Sequence, residues 1–157
     1  MSMKPEQRRD LIRKYKGGYQ AVADSLDGIQ DDELDRSASD EWTPRQIAHH
    51  LADSEIRAAI RLRQLLAEDD PQIAGYDEAQ YAQRLTRNRP IQPSMEAMRW
   101  ARESNLQILE TLNDEEWART GTHSEIGPYS VEKWLEIYST HPHDHAAQIR
   151  RSRGREA

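Results

Sequence analysis

The sequence predicts an all-α fold, a four-helix bundle built from one domain that spans residues 1–157. Four segments place apolar residues three and four positions apart, which is the spacing of one buried helix face. Charged residues make up 32% of the chain, a share that suits the exposed faces of amphipathic helices. No run of alternating apolar and polar residues demands a sheet. These observations favour helices packed on helices.

Residues 5–26 form the first predicted helix. Pro5 suits a first helical turn, where its missing N–H costs nothing. Gly17 and Gly18 lie in the middle of the apolar stripe and lower the helix propensity. We interpret these two glycines as a place where a neighbouring helix packs closely.

The second predicted helix has the strongest start signal in the chain. Thr43 and Gln46 have the spacing of a capping box, in which each side chain bonds a backbone N–H of the other residue. Trp42 and Ile47 occupy the positions of a hydrophobic staple. The helix is predicted to run to about Glu68, ahead of two aspartates and a proline.

Residues 94–112 and 130–150 are the third and fourth predicted helices. The connections between helices 2 and 3 and between helices 3 and 4 are both long. Residues 70–93 include a short helix predicted after Asp77, and residues 113–129 contain glycines and a proline. Loops of this length are often functional, so we expect them to line a binding site.

The composition excludes several classes of protein. The chain contains no cysteine, which excludes a disulfide framework, a thiolate metal site and a cysteine nucleophile. The first residues lack the apolar region of a signal peptide, and no apolar run approaches the roughly 20 residues of a membrane span. We therefore expect a cytoplasmic protein with no membrane partner. The net charge of −6 argues against a nucleic-acid partner.

Six histidines carry the chemical interest of the sequence. His141 and His145 lie one turn apart on the apolar face of the fourth helix, so both imidazoles can reach one metal ion. His50 lies in the apolar stripe of the second helix, and His49 is rotated about 100° from it. His143 should face solvent. Buried imidazoles need partners, and the spacing alone leaves a metal site and hydrogen-bonded core histidines equally open.

Pro142 lies between the two histidines of the fourth helix. Its ring nitrogen cannot donate, so the carbonyl of Tyr138 loses its usual helical partner. The helix either breaks there or continues with a kink that sets the angle between His141 and His145. The sequence leaves both possibilities open.

Polar residues near the histidines offer a base and a pocket wall. Asp53 lies about one turn from the histidine of the second helix and is the predicted catalytic residue, with Ser54 also able to reach the edge of the site. Glu55 and Asp144 are interpreted as surface charges. His123 precedes the last helix, and we interpret it as a surface residue rather than a pocket residue.

Three segments resemble the DinB/YfiT-like family of metalloenzymes, and they follow the family's order along most of the chain. They are WTPRQIAHHLADSE at residues 42–55, GYDEAQYA at residues 75–82 and THSEIGPYSVEKWLEIYSTHPHDHAAQI at residues 122–149. The resemblance implies a four-helix bundle of the up-up-down-down type and frequent homodimers. It also implies a metal site with three histidines.

The resemblance further implies which histidines bind the metal. The histidine of the family's H-L-A-D-S-E motif corresponds to His50, which selects it over His49. The family's H-x-x-x-H pair corresponds to His141 and His145. Pro142 departs from the family's pattern, in which a helix former is expected. One divalent ion per chain is expected, with zinc first and nickel, iron, manganese or copper as alternatives.

Three protein ligands leave a coordination position open, which is typical of catalytic rather than structural zinc sites. An open metal can activate water or bind a low-molecular-weight thiol. The expected function is therefore a small-molecule hydrolase or a thiol-dependent S-transferase, and the family includes bacillithiol-dependent S-transferases and a mycothiol-dependent isomerase. The alternative is a non-catalytic metal-binding module that serves in a stress response or in an interaction.

Overall fold

A computed structural model describes residues 2–155, and residues 1, 156 and 157 lie outside that description. The elements, in chain order, are α1 (Pro5–Lys16), α2 (Gly18–Leu26), α3 (Asp31–Leu34), α4 (Pro44–Ala67), β1 (Gln72–Ile73), α5 (Glu78–Leu85), α6 (Gln92–Leu109), α7 (Asp114–Trp117), β2 (Thr120–His123), β3 (Gly127–Ser130) and α8 (Val131–Ser152). The predicted four-helix bundle is confirmed. Its members are the α1–α2 segment, α4, α6 and α8.

Side-chain contacts fix the directions of the four bundle members. Along the α1–α2 segment and α8, residues with higher numbers on one helix contact residues with higher numbers on the other, so this pair runs parallel. The same holds for α4 and α6. Between α4 and α8 the partners advance in opposite orders, so this pair runs antiparallel. The contacts are Arg8 with Glu132, Ser25 with Arg153, Glu55 with Arg102, Arg63 with Asn105, His50 with His141 and Ala58 with Trp134.

The bundle therefore runs up, down, down, up, which differs from the up-up-down-down type that the resemblance implied. The physical reason lies in the connections. α4 has 24 residues and rises by about 36 Å, so a parallel α6 requires a chain that returns along that whole length. Residues 68–91 supply this return through β1 and α5, whereas the chain between α2 and α4 only has to turn.

The first predicted helix is two helices separated by a turn at Gly17. A Cβ added at Gly18 would lie 2.6 Å from Arg102 Nη2 and 2.6 Å from Pro142 Cγ. The predicted close packing is confirmed. The single helix over residues 5–26 was wrong, because neighbouring glycines are a common place for a helix to bend or break.

Several helix starts follow their sequence signals. Gln46 N donates to Thr43 Oγ1, and Thr43 N donates to Gln46 Oε1, which closes the predicted capping box of α4. Asp77 caps α5, the short helix predicted after it. Ser130 caps α8 by accepting a hydrogen bond from Lys133 N. α6 begins and ends a few residues earlier than the third predicted helix.

A three-stranded sheet, which the sequence did not predict, joins the two long connections. β1 pairs with β2 in parallel, with Gln72 opposite Thr122, and β2 pairs with β3 as an antiparallel hairpin. Gly127 begins β3 with a φ of +78°, which glycine adopts without strain. Strands of two to four residues are too short to produce a recognisable alternation, which explains the missed prediction.

The buried apolar side chains form two clusters along the bundle. One includes Trp134 and Tyr138 near the start of α8, and the other includes Ala146 and Ile149 near its end. The histidines of α8 lie between these two clusters in the sequence. Among the described residues, no helix combines the length and apolar character that a membrane span requires.

Candidate metal centre

Three imidazole nitrogens converge inside the bundle. His50 comes from α4, and His141 and His145 come from successive turns of α8. His141 Nε2 lies 3.2 Å from His50 Nε2 and 3.1 Å from His145 Nε2. One ring nitrogen from each residue lies within 4.8 Å of the other two. The structure thus brings together the three histidines that the sequence singled out.

Hydrogen bonding alone does not account for this arrangement. His141 Nε2 carries at most one proton, which can serve only one of its two imidazole neighbours. The Nδ1 atoms of His50 and His141 are buried and have no hydrogen-bond partner among the described residues. Nitrogen ligands at about 2.0–2.1 Å from a tetrahedral metal would lie about 3.3 Å apart. The spacing and the donor set therefore fit a divalent metal ion.

Burial keeps the three imidazoles neutral. Desolvation lowers the pKa of His50 to about 3 and that of His141 to about 3, and neighbouring histidines act in the same direction. Desolvation also lowers the pKa of His145, while its hydrogen bond to Gln148 acts in the opposite direction. Neutral imidazoles offer the lone pairs that metal binding requires.

Gln148 and Trp42 orient the imidazoles from outside the cluster. His145 Nδ1 lies 2.9 Å from Gln148 Oε1, so Nδ1 donates and Nε2 keeps its lone pair. The ring of Trp42 lies edge-on to His50, with 4.8 Å between centroids, and stacks on His145 at 6.2 Å. The sequence placed Trp42 only in a hydrophobic staple. Trp42 lies just before the helix that carries His50, and this closeness in sequence could have predicted the contact between the two rings.

α8 continues through Pro142, so the helix does not break there. The Tyr138 carbonyl that proline leaves without a helical partner accepts a hydrogen bond from Arg102 Nη1 at 3.2 Å. The same Nη1 donates to Glu55 Oε1 at 2.6 Å, and Nη2 donates to the Tyr15 carbonyl at 2.6 Å. A buried arginine thus replaces the missing backbone donor in the turn that leads to His141.

Glu55 is fully buried, so its interpretation as a surface charge was wrong. Burial raises the pKa of the Glu55 carboxyl, whereas the charge and the hydrogen bond of Arg102 lower it. Glu55 Oε2 has no partner among the described residues. Asp144, by contrast, is exposed as predicted. The sequence could not reveal the burial of Glu55 because its compensating charge comes from a different helix.

A cavity of about 420 Å³ opens beside the histidine cluster, between α4 and α8. His141 lines it from α8, and Ser54 and Arg61 line it from α4. The outer wall combines residues from both long connections, including Tyr76, Glu78, His123, Glu125 and Tyr129. These two connections touch, because Gly75 N donates to Ser124 Oγ at 2.9 Å. We call this space the histidine cavity.

His123 is a buried wall residue of the histidine cavity, so its interpretation as a surface residue was wrong. Its backbone pairs with Ile73 of β1 and Gly127 of β3, and that pairing places the imidazole inside. His123 Nδ1 accepts a hydrogen bond from Glu125 N at 3.1 Å, which leaves Nε2 as the protonated nitrogen. Burial and the charge of Arg61 both lower the pKa of His123.

Asp53, the predicted catalytic residue, borders a neighbouring groove of about 440 Å³ rather than the histidine cavity. Arg61 lines both spaces, so they meet at its side chain. Burial raises the pKa of Asp53, and the charges of Arg89 and Arg57 act to lower it. Asp53 Oδ2 is buried with no partner among the described residues.

The two neighbouring histidines have their own hydrogen bonds. His49 is buried, with Nδ1 2.7 Å from Ser94 Oγ and Nε2 3.2 Å from the Arg89 carbonyl oxygen. His143 is partly exposed, and its Nε2 donates to the Lys14 carbonyl at 2.9 Å in a solvent-exposed hydrogen bond. Both imidazoles find hydrogen-bond partners outside the cluster of three histidines, so neither needs a metal ion to account for its position.

Comparisons with known proteins agree with this geometry. A family model described as the DinB superfamily matches residues 15–149. A protein of Oceanobacillus iheyensis named "Putative metal-dependent hydrolase" is 36% identical over 122 residues, which cover 77% of this chain and 71% of that protein. YfiT of Bacillus subtilis, which carries the same description, is 29% identical over 157 residues, covering 94% of this chain and 85% of that protein.

A solved structure of YfiT from Bacillus subtilis also resembles this chain. Its TM-score is 0.90, with 26% sequence identity over 99% of this chain and 92% of that chain. It is described as "a probable metal-dependent hydrolase with an unusual four-helix bundle topology".

Proposed function

Because the chain belongs to the DinB superfamily, we propose that it is a metal-dependent hydrolase of a small molecule. In this proposal His50, His141 and His145 hold one divalent ion. The observation that carries it is the approach of His50 Nε2 and His145 Nε2 to within 3.2 and 3.1 Å of His141 Nε2, beside a cavity that His141 lines. Three protein ligands leave room for water or substrate.

The residues around the cluster have separable roles in this proposal. When bound, a divalent ion supplies Lewis-acid chemistry. Gln148 holds His145 in the tautomer that offers Nε2, and Trp42 covers two of the imidazoles. Arg102 fixes the turn of α8 that leads to His141. The histidine cavity admits the small molecule.

Asp53 is proposed as the general base. Burial raises the pKa of its carboxyl, a direction that brings a carboxylate closer to the pH at which a base works best. Its place in the neighbouring groove means that it would act from the side where the groove and the cavity meet at Arg61.

Other features of the proposal rest on the sequence and the family. Zinc is the proposed ion, because three neutral imidazoles with an open position suit it, and nickel, iron, manganese and copper are the alternatives. A cytoplasmic location and a homodimer stay predictions. The names of the relatives favour hydrolysis over the predicted thiol transfer and over a non-catalytic module.

The metal content of purified protein tests the site directly. We expect about one equivalent of divalent metal in the wild-type protein and negligible metal in His50→Ala, His141→Ala and His145→Ala. His143→Ala is the matched control, because its imidazole lies on the same helix but bonds the Lys14 carbonyl instead. Equal metal content in the wild-type protein and the three cluster variants would refute the assignment.

The reaction is tested with the metal-loaded protein. Ester and amide substrates are assayed with and without added low-molecular-weight thiols. Hydrolysis that does not depend on thiol supports the proposal, and consumption of an electrophile only in the presence of thiol would replace it with S-transfer. A metal-loaded protein that turns over none of these substrates would favour the non-catalytic module.

A further inference from the structure

We propose that Arg61 forms the anion-binding part of the substrate site, so that the small molecule carries one anionic oxygen group, a carboxylate or a phosphate monoester. This inference rests on the proposed function and adds a substrate class to it. It is carried by the side chain's position in the histidine cavity, by its hydrogen bonds and by the groups around it.

The charge of Arg61 is only partly compensated, because it acts to lower the pKa of Glu78 without forming an ion pair with that carboxylate. Its Nη1 donates to Tyr138 Oη at 3.0 Å, and its Nη2 donates to the Ala74 carbonyl at 2.7 Å. These bonds use two of the five N–H donors of a guanidinium. No carboxylate of the described residues forms an ion pair with it, although the side chain is half-buried.

Four other arginines have side-chain exposures of 13% or less and are compensated by ion pairs, whereas Arg57 and Arg119, which are half-buried like Arg61, form none among the described residues. Each of the four forms an ion pair with an acidic side chain from a different part of the chain. The pairs are Arg8 with Glu132, Arg45 with Asp35, Arg102 with Glu55 and Arg153 with Glu33. Arg61 differs from Arg57 and Arg119 in lining the histidine cavity, where a ligand can supply the compensating charge that partly buried cations favour.

Neutral hydrogen-bond donors surround the guanidinium. Tyr138 Oη accepts from Arg61, so its own proton remains available. His123 presents a protonated Nε2, because its Nδ1 accepts from Glu125 N. Burial raises the pKa of Tyr129 and keeps its hydroxyl protonated. A cation with several neutral donors is the arrangement that recognises a single oxyanion.

Acidic residues at the rim limit the charge of the ligand. Glu78 and Glu125 line the outer part of the cavity and are exposed. Their charges oppose a polyanion such as a nucleoside triphosphate, while a single anionic group can be balanced by the one guanidinium inside. The Asp77 carboxylate is occupied in capping α5, where it accepts from Gln80 N.

The cavity connects this subsite to the histidines. Arg61 and His141 line the same space of about 420 Å³, which falls in the range of small-molecule sites. A molecule whose anionic end binds Arg61 therefore presents its other end toward the converging Nε2 atoms. The proposed anion subsite on α4 and the histidine cluster shared by α4 and α8 therefore face one cavity.

A pair of metal-chelating probes tests this arrangement. Aliphatic hydroxamates bind a protein-held divalent ion, and one set carries a terminal carboxylate two to four carbons away. The matched set ends in a methyl group, and a third set ends in a phosphonate. Affinities are measured by calorimetry on zinc-loaded protein, whose metal content is determined separately.

We expect at least one anionic probe to bind the wild-type protein about tenfold or more tightly than its methyl analogue. Arg61→Gln should abolish that preference while leaving the affinity for the methyl probes unchanged. Arg63→Gln is the matched control, because Arg63 lies on the same helix but donates to Asn105 and Ser104. It should keep the preference.

The outcomes separate the two proposals. Metal-loaded protein that binds anionic and methyl probes equally at every length would overturn the anion subsite and leave the metal site intact. A preference that survives in Arg61→Gln would also overturn it. Protein that takes up no metal and binds no hydroxamate would overturn the proposed function and this inference together. The stronger of the carboxylate and phosphonate preferences identifies the anion.

Discussion

Replacing Arg102 with methionine tests how this chain tolerates a proline in α8. Methionine keeps much of the apolar stem but removes the guanidinium. It leaves the Glu55 carboxylate and the carbonyls of Tyr138 and Tyr15 without the donors that lie 2.6–3.2 Å from them. The substitution should lower the free energy of unfolding, and part of that decrease should come from the Tyr138 carbonyl, which Pro142 leaves without a helical partner.

The total cost follows from the burial of the ion pair. Removing one partner of a buried ion pair costs about 3–5 kcal/mol, because the other charge stays buried without compensation. Arg102 and Glu55 have side-chain exposures of 4% and 0%, so that range applies here. A buried carbonyl left unsatisfied accounts for about 1–3 kcal/mol. The Tyr138 carbonyl should therefore carry a measurable part of the loss.

A double-mutant cycle with Pro142→Ala isolates that part. Alanine at position 142 restores the backbone N–H that bonds the Tyr138 carbonyl, so Arg102→Met should cost about 1–2 kcal/mol less in the Pro142→Ala background. The helix propensity gained by removing proline cancels in the cycle. Urea unfolding followed by far-ultraviolet circular dichroism gives the four free energies of unfolding.

Thr140→Ala supplies the matched control cycle, because its hydroxyl bonds the Glu136 carbonyl and does not touch Arg102. We expect a coupling near zero for Thr140. If Arg102→Met does not fold, Arg102→Lys replaces it in both cycles. A coupling to Pro142 no larger than the coupling to Thr140 would refute the view that the arginine substitutes for the missing backbone donor.

Two further predictions concern the cavity and its surroundings. His123 should titrate below its ordinary pKa of 6.5 in two-dimensional NMR, and Arg61→Gln should raise that pKa because one depressing charge is removed. The unfolded chain then binds a proton at His123 more readily than the folded chain does. The contribution of His123 to the free energy of unfolding is therefore present above pH 6.5 and decreases as the pH falls below it. An unchanged His123 pKa in Arg61→Gln would contradict the assigned cause. Asp53→Asn should lower kcat on a hydrolysed substrate while the metal content stays at the wild-type value, and wild-type kcat would exclude Asp53 as the base.

Local signals predicted the helices that carry the histidines. The capping box of Thr43 and Gln46 fixes the start of α4, and periodicity fixes the face that His50 shares with the core. The four-residue spacing of His141 and His145 depends only on helix geometry. These features are encoded within a few positions of the chain, so they could be read without knowledge of its neighbours.

Features that depend on distant partners could not be predicted in the same way. Glu55 is buried because Arg102 reaches it from α6, and no local pattern announces that pairing. His123 points inward because β2 pairs with β1, a strand of two residues. The apolar stripe of a helix does not reveal whether its neighbour runs parallel or antiparallel, because the same stripe suits both.

The parallel pairing of β1 with β2 has a consequence for how the specificity of this fold can change. It fastens the flanks of both cavity-wall loops, residues 74–78 and 124–126, to one small sheet, while the three converging histidines stay on α4 and α8. Exchange or lengthening of these loops would alter the shape of the entrance without disturbing a histidine-bearing helix. Under the proposed function, the loops that select the substrate are separate from the histidines that hold the metal, and loop grafting between relatives tests that separation.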